Sequence, residues 1–93
     1  MVLSIETQQA ICAIAKQYGL QKVILFGSRA RGDCKRTSDI DLAVSGGEIN
    51  IFILELEEIP TLLMFDVVNL DGPVQPELLE SIAQEGVCIY EKI

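Results

Sequence analysis

The sequence has 93 residues, 49% of them hydrophobic, which is enough for one compact domain with one core but not for separate catalytic and substrate-binding domains. Its net charge of −7 argues against general binding of duplex nucleic acid, because such binding depends on clustered Lys and Arg. No run approaches the roughly 20 apolar residues of a membrane-spanning helix, and the N-terminus lacks the features of a signal peptide, so we expect a cytoplasmic protein.

The N-terminal segment is predicted to form a helix that begins after Ser4, a favourable N-cap residue, and ends near Tyr18, where Gly19 stops it. The apolar residues at helical spacing, which we expect to face the core, are Ile11, Ile14, Ala15 and Tyr18. The continuous apolar run at residues 23–26 is typical of a strand buried on both faces. Residues 27–38 are rich in Gly, Ser, Arg and Asp and are expected to form a loop with one helical turn.

Residues 39–44 alternate charged and apolar side chains in their first half, which predicts a second strand. Residues 50–59 are predicted to form a helix that stops before Pro60, with a strand as the alternative for the apolar run at residues 51–54. That run is apolar around more than one face. A helix here would therefore bury one side and leave the other for a partner, either a second copy or a different protein.

Residues 65–68 and 87–90 are predicted to be the third and fourth strands. Between them, residues 76–85 are predicted to form a helix that begins with a proline and ends at Gly86. The inward-facing residues of this helix are predicted to be Leu78, Leu79 and Ile82. The whole chain, residues 1–93, is therefore expected to be a single α/β (α+β) domain with helices packed on a four-stranded mixed sheet.

The three cysteines are far apart in the sequence, and no histidine accompanies them, so neither a disulfide framework nor a zinc site is indicated. Cys12 and Cys88 have apolar neighbours and are predicted to lie in the core. Cys34 lies in a polar segment and is expected to be exposed.

Three aspartates are candidate metal ligands. Asp39 and Asp41 are expected to project from one face of the second strand, roughly 6.5 to 7 Å apart, and Asp66 joins them if the third strand lies beside the second in the right register. Carboxylates held this close repel one another unless a cation lies between them, and a chain without histidine favours Mg²⁺ or Mn²⁺ over zinc. Three carboxylates can bridge two metal ions about 3.5 to 4 Å apart, the arrangement used in phosphoryl displacement.

The segment after the first strand is a candidate phosphate site. Gly27 lets the backbone approach a ligand closely, and Ser28 offers a hydroxyl and N–H groups to phosphate oxygens. Arg29 and Arg31 are candidates to neutralise a triphosphate, and Arg31 is the stronger of the two because Arg29 is able to point away. Taken singly, these features have simpler interpretations: Asp-x-Asp is usually a solvated strand face, Gly-Ser is usually a turn, and Asp66 alone would suit a sheet edge that resists aggregation.

Taken together, Gly27 and Ser28, then ten residues, then Asp39 and Asp41, and later Asp66, resemble the minimal nucleotidyltransferase (MNT) family of the DNA polymerase beta superfamily. The resemblance covers nearly the whole chain, and the catalytic pattern is unbroken. It implies transfer of AMP from ATP, with the three aspartates holding two Mg²⁺ ions and the Gly-Ser segment holding ATP. For short members it also implies an antitoxin that AMPylates a HEPN-domain ribonuclease toxin.

Two other functions are alternatives. The chain could be a non-catalytic antitoxin or binding module that neutralises a partner by complex formation, which the apolar run at 51–54 and the acidic surface would suit. Nucleotidyl transfer to a small molecule such as an aminoglycoside is the weaker alternative, because this sequence has no second domain to hold such a substrate.

Overall fold

The computed structural model describes residues 1–93, and helices alternate with strands along the chain. The helices are α1 (Ile5–Gln17), α2 (Ser28–Arg31), α3 (Ile49–Leu56) and α4 (Pro76–Glu85), and the strands are β1 (Lys22–Phe26), β2 (Ile40–Ser45), β3 (Phe65–Asn69) and β4 (Val87–Glu91). The strands form one mixed sheet in the order β3-β2-β1-β4. Within it, β1 is antiparallel to both β2 and β4, and β2 is parallel to β3. This confirms the predicted α+β class.

Helix α1 has the predicted start and end. The Ser4 hydroxyl accepts a hydrogen bond from the Thr7 N–H at 3.2 Å, which satisfies one of the free donors of the first turn. The helix ends at Gln17, and Gly19 follows with a positive φ of 69°. Ile11 and Ala15 are fully buried, so the apolar stripe faces the core as expected.

The two faces of the sheet are covered unequally. On one face, Leu25, Leu42 and Val44 lie in the main core with residues of α1 and α3. On the other face, Phe26 and Ala43 form a smaller cluster with Ile82 of α4. Helix α4 packs on β1. The second face therefore has a covered part under α4 and a more open part at the starts of β2 and β3. None of the helices has the length and apolar character that a membrane span requires.

The segment after β2 is a helix, as predicted, and not a strand. It begins at Ile49 and ends at Leu56, three residues earlier than expected. The helix continues there as a tighter turn of the 3₁₀ type. Each of three successive N–H groups bonds to the carbonyl three residues before it, namely those of Glu57, Glu58 and Ile59. Ile59 is nevertheless buried, so the turn still belongs to the core.

Four predictions about burial differ from the structure. Leu79 is 44% exposed, because only Ile82 and, in part, Leu78 of α4 face the sheet. Cys88 is exposed and lies on β4, an edge strand of the sheet. Cys12 and Cys34 are both partly buried, which makes Cys12 less buried and Cys34 less exposed than their neighbours in sequence suggested.

Candidate functional site

The register between β2 and β3 determines where the aspartates lie. Asp41 on β2 is paired directly with Asp66 on β3, so both side chains project from the same face of the sheet. This is the face that carries α4, because Leu42, the next residue of β2, points into the main core on the other side. Asp41 is partly buried and Asp66 is exposed. Asp39 lies just before β2 and is also exposed.

Burial and the neighbouring charges both affect the ionisation of Asp41. The pKa of Asp41 is raised, first by burial of its carboxyl group and then by the negative charges of Asp66 and Asp39. Arg31 opposes this rise in the pKa, whereas Glu85 adds to it. One guanidinium thus faces four carboxyl groups, and the site has an excess of negative charge that a cation would relieve.

The turn after β1 lies directly against Asp41. Gly27 has φ 75° and ψ −158°, a backbone conformation that is essentially restricted to glycine. A Cβ atom at this position would also collide with Oδ2 of Asp41. Ser28 is the first residue of the short helix α2, which ends at Gly32 in the left-handed conformation. Two constraints therefore require glycine at position 27: the turn and the adjacent carboxylate.

Arg29 does not join this site, which corrects the prediction that it contacts a triphosphate. Its side chain is only 6% exposed. Its Nε donates to the Ser38 carbonyl at 3.0 Å, Nη1 donates to the Val2 carbonyl at 3.2 Å, and Nη2 donates to the Arg36 carbonyl at 3.1 Å. A guanidinium used in this way holds the N-terminus and the loop before β2 together, and it has little exposed surface for a ligand.

Arg31 lies on the exposed side of α2 and is held by two acidic residues. Its Nη1 donates to Oε2 of Glu85 at 2.9 Å, and its Nε donates to Oδ2 of Asp33 at 3.2 Å. The N–H of Gly27 donates to the other oxygen of Glu85 at 3.0 Å. Glu85 was not among the predicted site residues, and it lies 58 residues from Gly27 in the chain. Its only local signal was its position at the end of a predicted helix.

The donor atoms of the site suit a hard divalent cation, because every candidate ligand is a carboxylate oxygen. The three aspartates do not enclose such an ion by themselves: no group of three or more acidic or thiol side chains is arranged closely enough to hold one. Mg²⁺ commonly uses one or two carboxylates together with water and substrate phosphates, so this open arrangement fits a metal that arrives with a nucleotide.

The aspartates also lie outside the two cavities of the molecule. The first, of about 350 Å³, lies between the N-terminus, the loop around Lys35 and Leu63. The second, of about 540 Å³, lies between Lys16 and the C-terminal residues. The candidate site is therefore an open surface of the sheet.

Comparison with known proteins gives a family match that spans all the residues of this site. The family model described as polymerase beta, nucleotidyltransferase matches residues 9–93. The protein named "Putative protein adenylyltransferase MJ0435" from Methanocaldococcus jannaschii is 32% identical over 90 residues, which are 90% of this chain and 95% of that protein.

Two solved structures have the same fold at similar identity. A crystal structure of a toxin-antitoxin with AMP-PNP has 26% identity and a TM-score of 0.73, covering 91% of this chain and 73% of the other. A structure described as a "putative minimal nucleotidyltransferase" has 29% identity and a TM-score of 0.67, covering 86% of each chain. The family model, over residues 9–93, includes every element that carries the aspartates and the glycine turn.

Proposed function

The chain belongs to the polymerase beta nucleotidyltransferase family, and we propose that it transfers AMP from ATP to a hydroxyl group of a partner protein. The observation that carries the proposal is the pairing of Asp41 with Asp66 on adjacent strands, immediately beside the Gly27 turn. Acidic residues in register next to a glycine turn bring candidate metal ligands and a candidate phosphate site together. The nucleotidyltransferase class follows from the family, whereas the acceptor and the metal are part of the proposal.

Asp39, Asp41 and Asp66 would hold two Mg²⁺ ions, or Mn²⁺ in their place. The support is the oxygen-only donor set and the raised pKa of Asp41, which results first from burial of its carboxyl group and then from the negative charges of Asp66 and Asp39. When bound, such ions stabilise the charge on the attacking and leaving oxygens of a phosphoryl displacement.

ATP would lie with its triphosphate over Gly27 and Ser28. The absence of a Cβ at Gly27 lets backbone N–H groups approach phosphate oxygens, and the Ser28 hydroxyl adds a further donor. Arg31 is the guanidinium that would neutralise phosphate charge, because it lies near Asp41 and is exposed. Arg29 is omitted from this set, since its donors are bonded to backbone carbonyls.

The reaction would be an in-line substitution at the α-phosphorus. The acceptor hydroxyl oxygen forms the new P–O bond, and the bond from the α-phosphorus to the oxygen bridging to the β-phosphate breaks. AMP becomes attached to the acceptor and pyrophosphate leaves. The chain contains no histidine, so the carboxylate of Asp66, which is exposed at the site, is the candidate group to accept the hydroxyl proton.

The acceptor is proposed to be a HEPN-domain toxin, with this chain as its antitoxin. Two similarities support a protein acceptor: a 32% identical relative is named as a protein adenylyltransferase, and a structure with the same fold is a toxin-antitoxin bound to AMP-PNP. AMP on a ribonuclease toxin would add a bulky, negatively charged group. Such a group near an RNA-binding surface repels the RNA backbone and silences the enzyme.

The surface of α3 is the proposed contact with this partner. Ile51 and Leu54 are 39% and 69% exposed and lie on the same side of the helix, since they are three residues apart. Glu57 and Glu58 follow in the exposed turn. An apolar surface bordered by acidic groups suits a partner with an apolar groove and basic side chains at its rim.

A non-catalytic antitoxin is the second candidate, because the exposed face of α3 would serve complex formation without any chemistry. The two functions are separated by incubating the chain with the toxin, Mg²⁺ and ATP labelled at the α-phosphate. Adenylyl transfer predicts a labelled toxin, and ATP labelled at the γ-phosphate should leave the toxin unlabelled because that phosphate departs in pyrophosphate.

The variant Asp39→Ala, Asp41→Ala tests the assignment of the site in the same assay. We expect loss of labelling with unchanged binding of the toxin, since α3 is untouched. Glu77→Ala, which removes an exposed acid from α4, is the matched control and should label normally. Normal labelling by the double variant would refute the site, and an unlabelled toxin with the unaltered chain would favour the non-catalytic function.

A further inference from the structure

Glu85 connects two of the groups that the proposed function assigns to ATP. Its side chain is 22% exposed, and both of its carboxylate oxygens are used. Oε1 accepts the N–H of Gly27 at 3.0 Å, and Oε2 accepts Nη1 of Arg31 at 2.9 Å. A single carboxylate from α4 thus joins the backbone of the glycine turn to the guanidinium of α2.

The end of α4 is fixed in place by its own packing. Ile82 is buried against the sheet, and the N–H of Gly86 bonds to the Ile82 carbonyl at 2.8 Å. A Cβ at Gly86 would collide with this carbonyl and would lie 2.6 Å from Cγ2 of Ile24 on β1. The C-terminal end of α4 therefore packs against β1 as closely as a glycine allows. This close packing places Glu85 beside the Gly27 turn.

The location of Glu85 carries an electrostatic disadvantage. It brings a further negative charge to a cluster of three aspartates, and this charge contributes to the raised pKa of Asp41. A site meant only to bind anionic phosphates would be improved by its removal. Against this disadvantage stand the two charge-assisted hydrogen bonds that Glu85 accepts from Gly27 and Arg31.

We propose that Glu85 is a positioning residue that holds the Gly27 turn and the Arg31 guanidinium in the geometry that receives the triphosphate. Glu85 and Asp33 use the Nη1 and Nε atoms of Arg31, which leaves Nη2 for a phosphate oxygen while both ion pairs persist. An exposed arginine is costly to order on binding, and the ion pairs order it in advance. The inference rests on the proposed function, since it assigns Arg31 and Gly27 to ATP.

An inhibitory role for Glu85 predicts the opposite effect of its removal on ATP affinity. If Glu85 blocked the site by occupying donors that ATP needs, its removal would strengthen ATP binding. If Glu85 positions those donors, its removal weakens ATP binding. The effect on the chemical step should be smaller, because Glu85 touches neither the α-phosphate nor the acceptor in the proposed arrangement.

The first test measures ATP binding in the presence of Mg²⁺ by calorimetry, together with KM and kcat for transfer to the partner. Glu85→Ala is expected to raise the Kd and KM for ATP about tenfold while kcat changes less. Glu85→Gln keeps an oxygen acceptor for the Gly27 N–H but loses the charge facing Arg31, so it should recover part of the loss. Glu80→Ala removes an exposed acid from the same helix and is the matched control.

Each result has one interpretation. An unchanged or lower Kd in Glu85→Ala would overturn the positioning role while leaving the proposed function intact. An unaltered chain that does not bind ATP would overturn the proposed function and this inference with it. If Glu85→Ala does not fold, as judged by thermal unfolding, the isosteric Glu85→Gln carries the same comparison and should still show a raised Kd.

A double-mutant cycle with Arg31→Ala tests whether Glu85 acts through Arg31. We expect the loss of Glu85 to raise the Kd for ATP much less in the Arg31→Ala background than in the unaltered chain, because one of the two groups it orients is already absent. Equal fold-changes in the two backgrounds would show that Glu85 does not act through the arginine and would overturn the proposed connection.

Discussion

At the scale of single residues, the candidate site depends on a glycine and an aspartate in contact. Gly27 combines a backbone conformation that side-chain-bearing residues avoid with a position directly against Asp41. Asp41 is in turn held between the glycine turn and Asp66 on the next strand. A side chain at position 27 would displace Asp41, whereas a change of charge at position 41 would leave the glycine turn in place, so the two residues give separate predictions.

Substitution of Gly27 is predicted to affect folding and function together. Gly27→Ala should lower the free energy of unfolding by roughly 1 to 3 kcal/mol, the cost of forcing an unfavourable backbone region, and should weaken ATP binding because Asp41 must move. Gly72→Ala is the control: φ is not positive there, and the nearest atom to an added Cβ is 3.7 Å away. Chemical denaturation of the two variants measures the difference, and equal stability would contradict the assigned strain.

Substitution of Asp41 is predicted to change how stability depends on pH. The raised pKa of Asp41 means that the folded state holds this proton more tightly than the unfolded state does. Its ionisation therefore costs stability as the pH rises through the range above the usual value of 3.8, and the cost is absent at lower pH. Without divalent cations, Asp41→Asn should raise the free energy of unfolding near neutral pH.

The gain from Asp41→Asn should shrink as the pH falls through that range, because the aspartate of the unaltered chain becomes neutral as well. Denaturation curves at a series of pH values in a chelating buffer provide the measurement. Glu80→Gln, at an exposed position of α4, controls for a general change of net charge. A gain that grows toward acid pH would be incompatible with a raised pKa.

At the scale of secondary-structure elements, the helices on the two faces of the sheet have different structural roles. Helices α1 and α3 close the main core, and α4 covers part of the other face and carries Glu85 to the glycine turn. Helix α3 also exposes Ile51 and Leu54. It is thus both a core element and the proposed contact surface, on opposite sides of one helix.

The exposed side of α3 predicts a selective loss of partner binding. Leu54→Glu should weaken binding of the toxin at least tenfold, about 1.4 kcal/mol, because it places a charge in an apolar contact. ATP binding and stability should be unchanged, since Leu54 is 69% exposed. Ile5→Glu on α1 is the matched control, because Ile5 is 67% exposed and lies outside the proposed surface. Binding is measured by calorimetry, and equal affinity of both variants would exclude this face.

At the scale of the whole molecule, local sequence patterns predicted most of the helices and strands. They did not predict contacts between residues that are far apart in the sequence. The Ser4 cap, the apolar run of β1 and the alternation around Asp41 each leave a signal within a few residues, and all three elements form as expected. The bond between Glu85 and Gly27 depends on how α4 returns to β1, and no local pattern encodes it.

The wrong predictions for Cys88 and Arg29 also result from contacts between residues that are far apart in the sequence. Cys88 has apolar neighbours in sequence, but the sheet order makes its strand an edge. Arg29 lies in the segment predicted to bind phosphate, yet its guanidinium is bonded to three backbone carbonyls, one near the N-terminus and two in the loop before β2. Spacing did predict that Asp41 and Asp66 would share a face if their strands were neighbours, and the parallel pairing of β2 and β3 meets that condition.

The most direct test of the central claim is a crystal structure of the chain grown with Mn²⁺ and α,β-methylene ATP, an analogue whose reacting bond cannot be cleaved. Anomalous scattering would locate the metal. We expect two manganese ions contacted by Asp39, Asp41 and Asp66, with the triphosphate against Gly27 and Ser28. A nucleotide bound elsewhere, or manganese that avoids these three carboxylates, would contradict that claim.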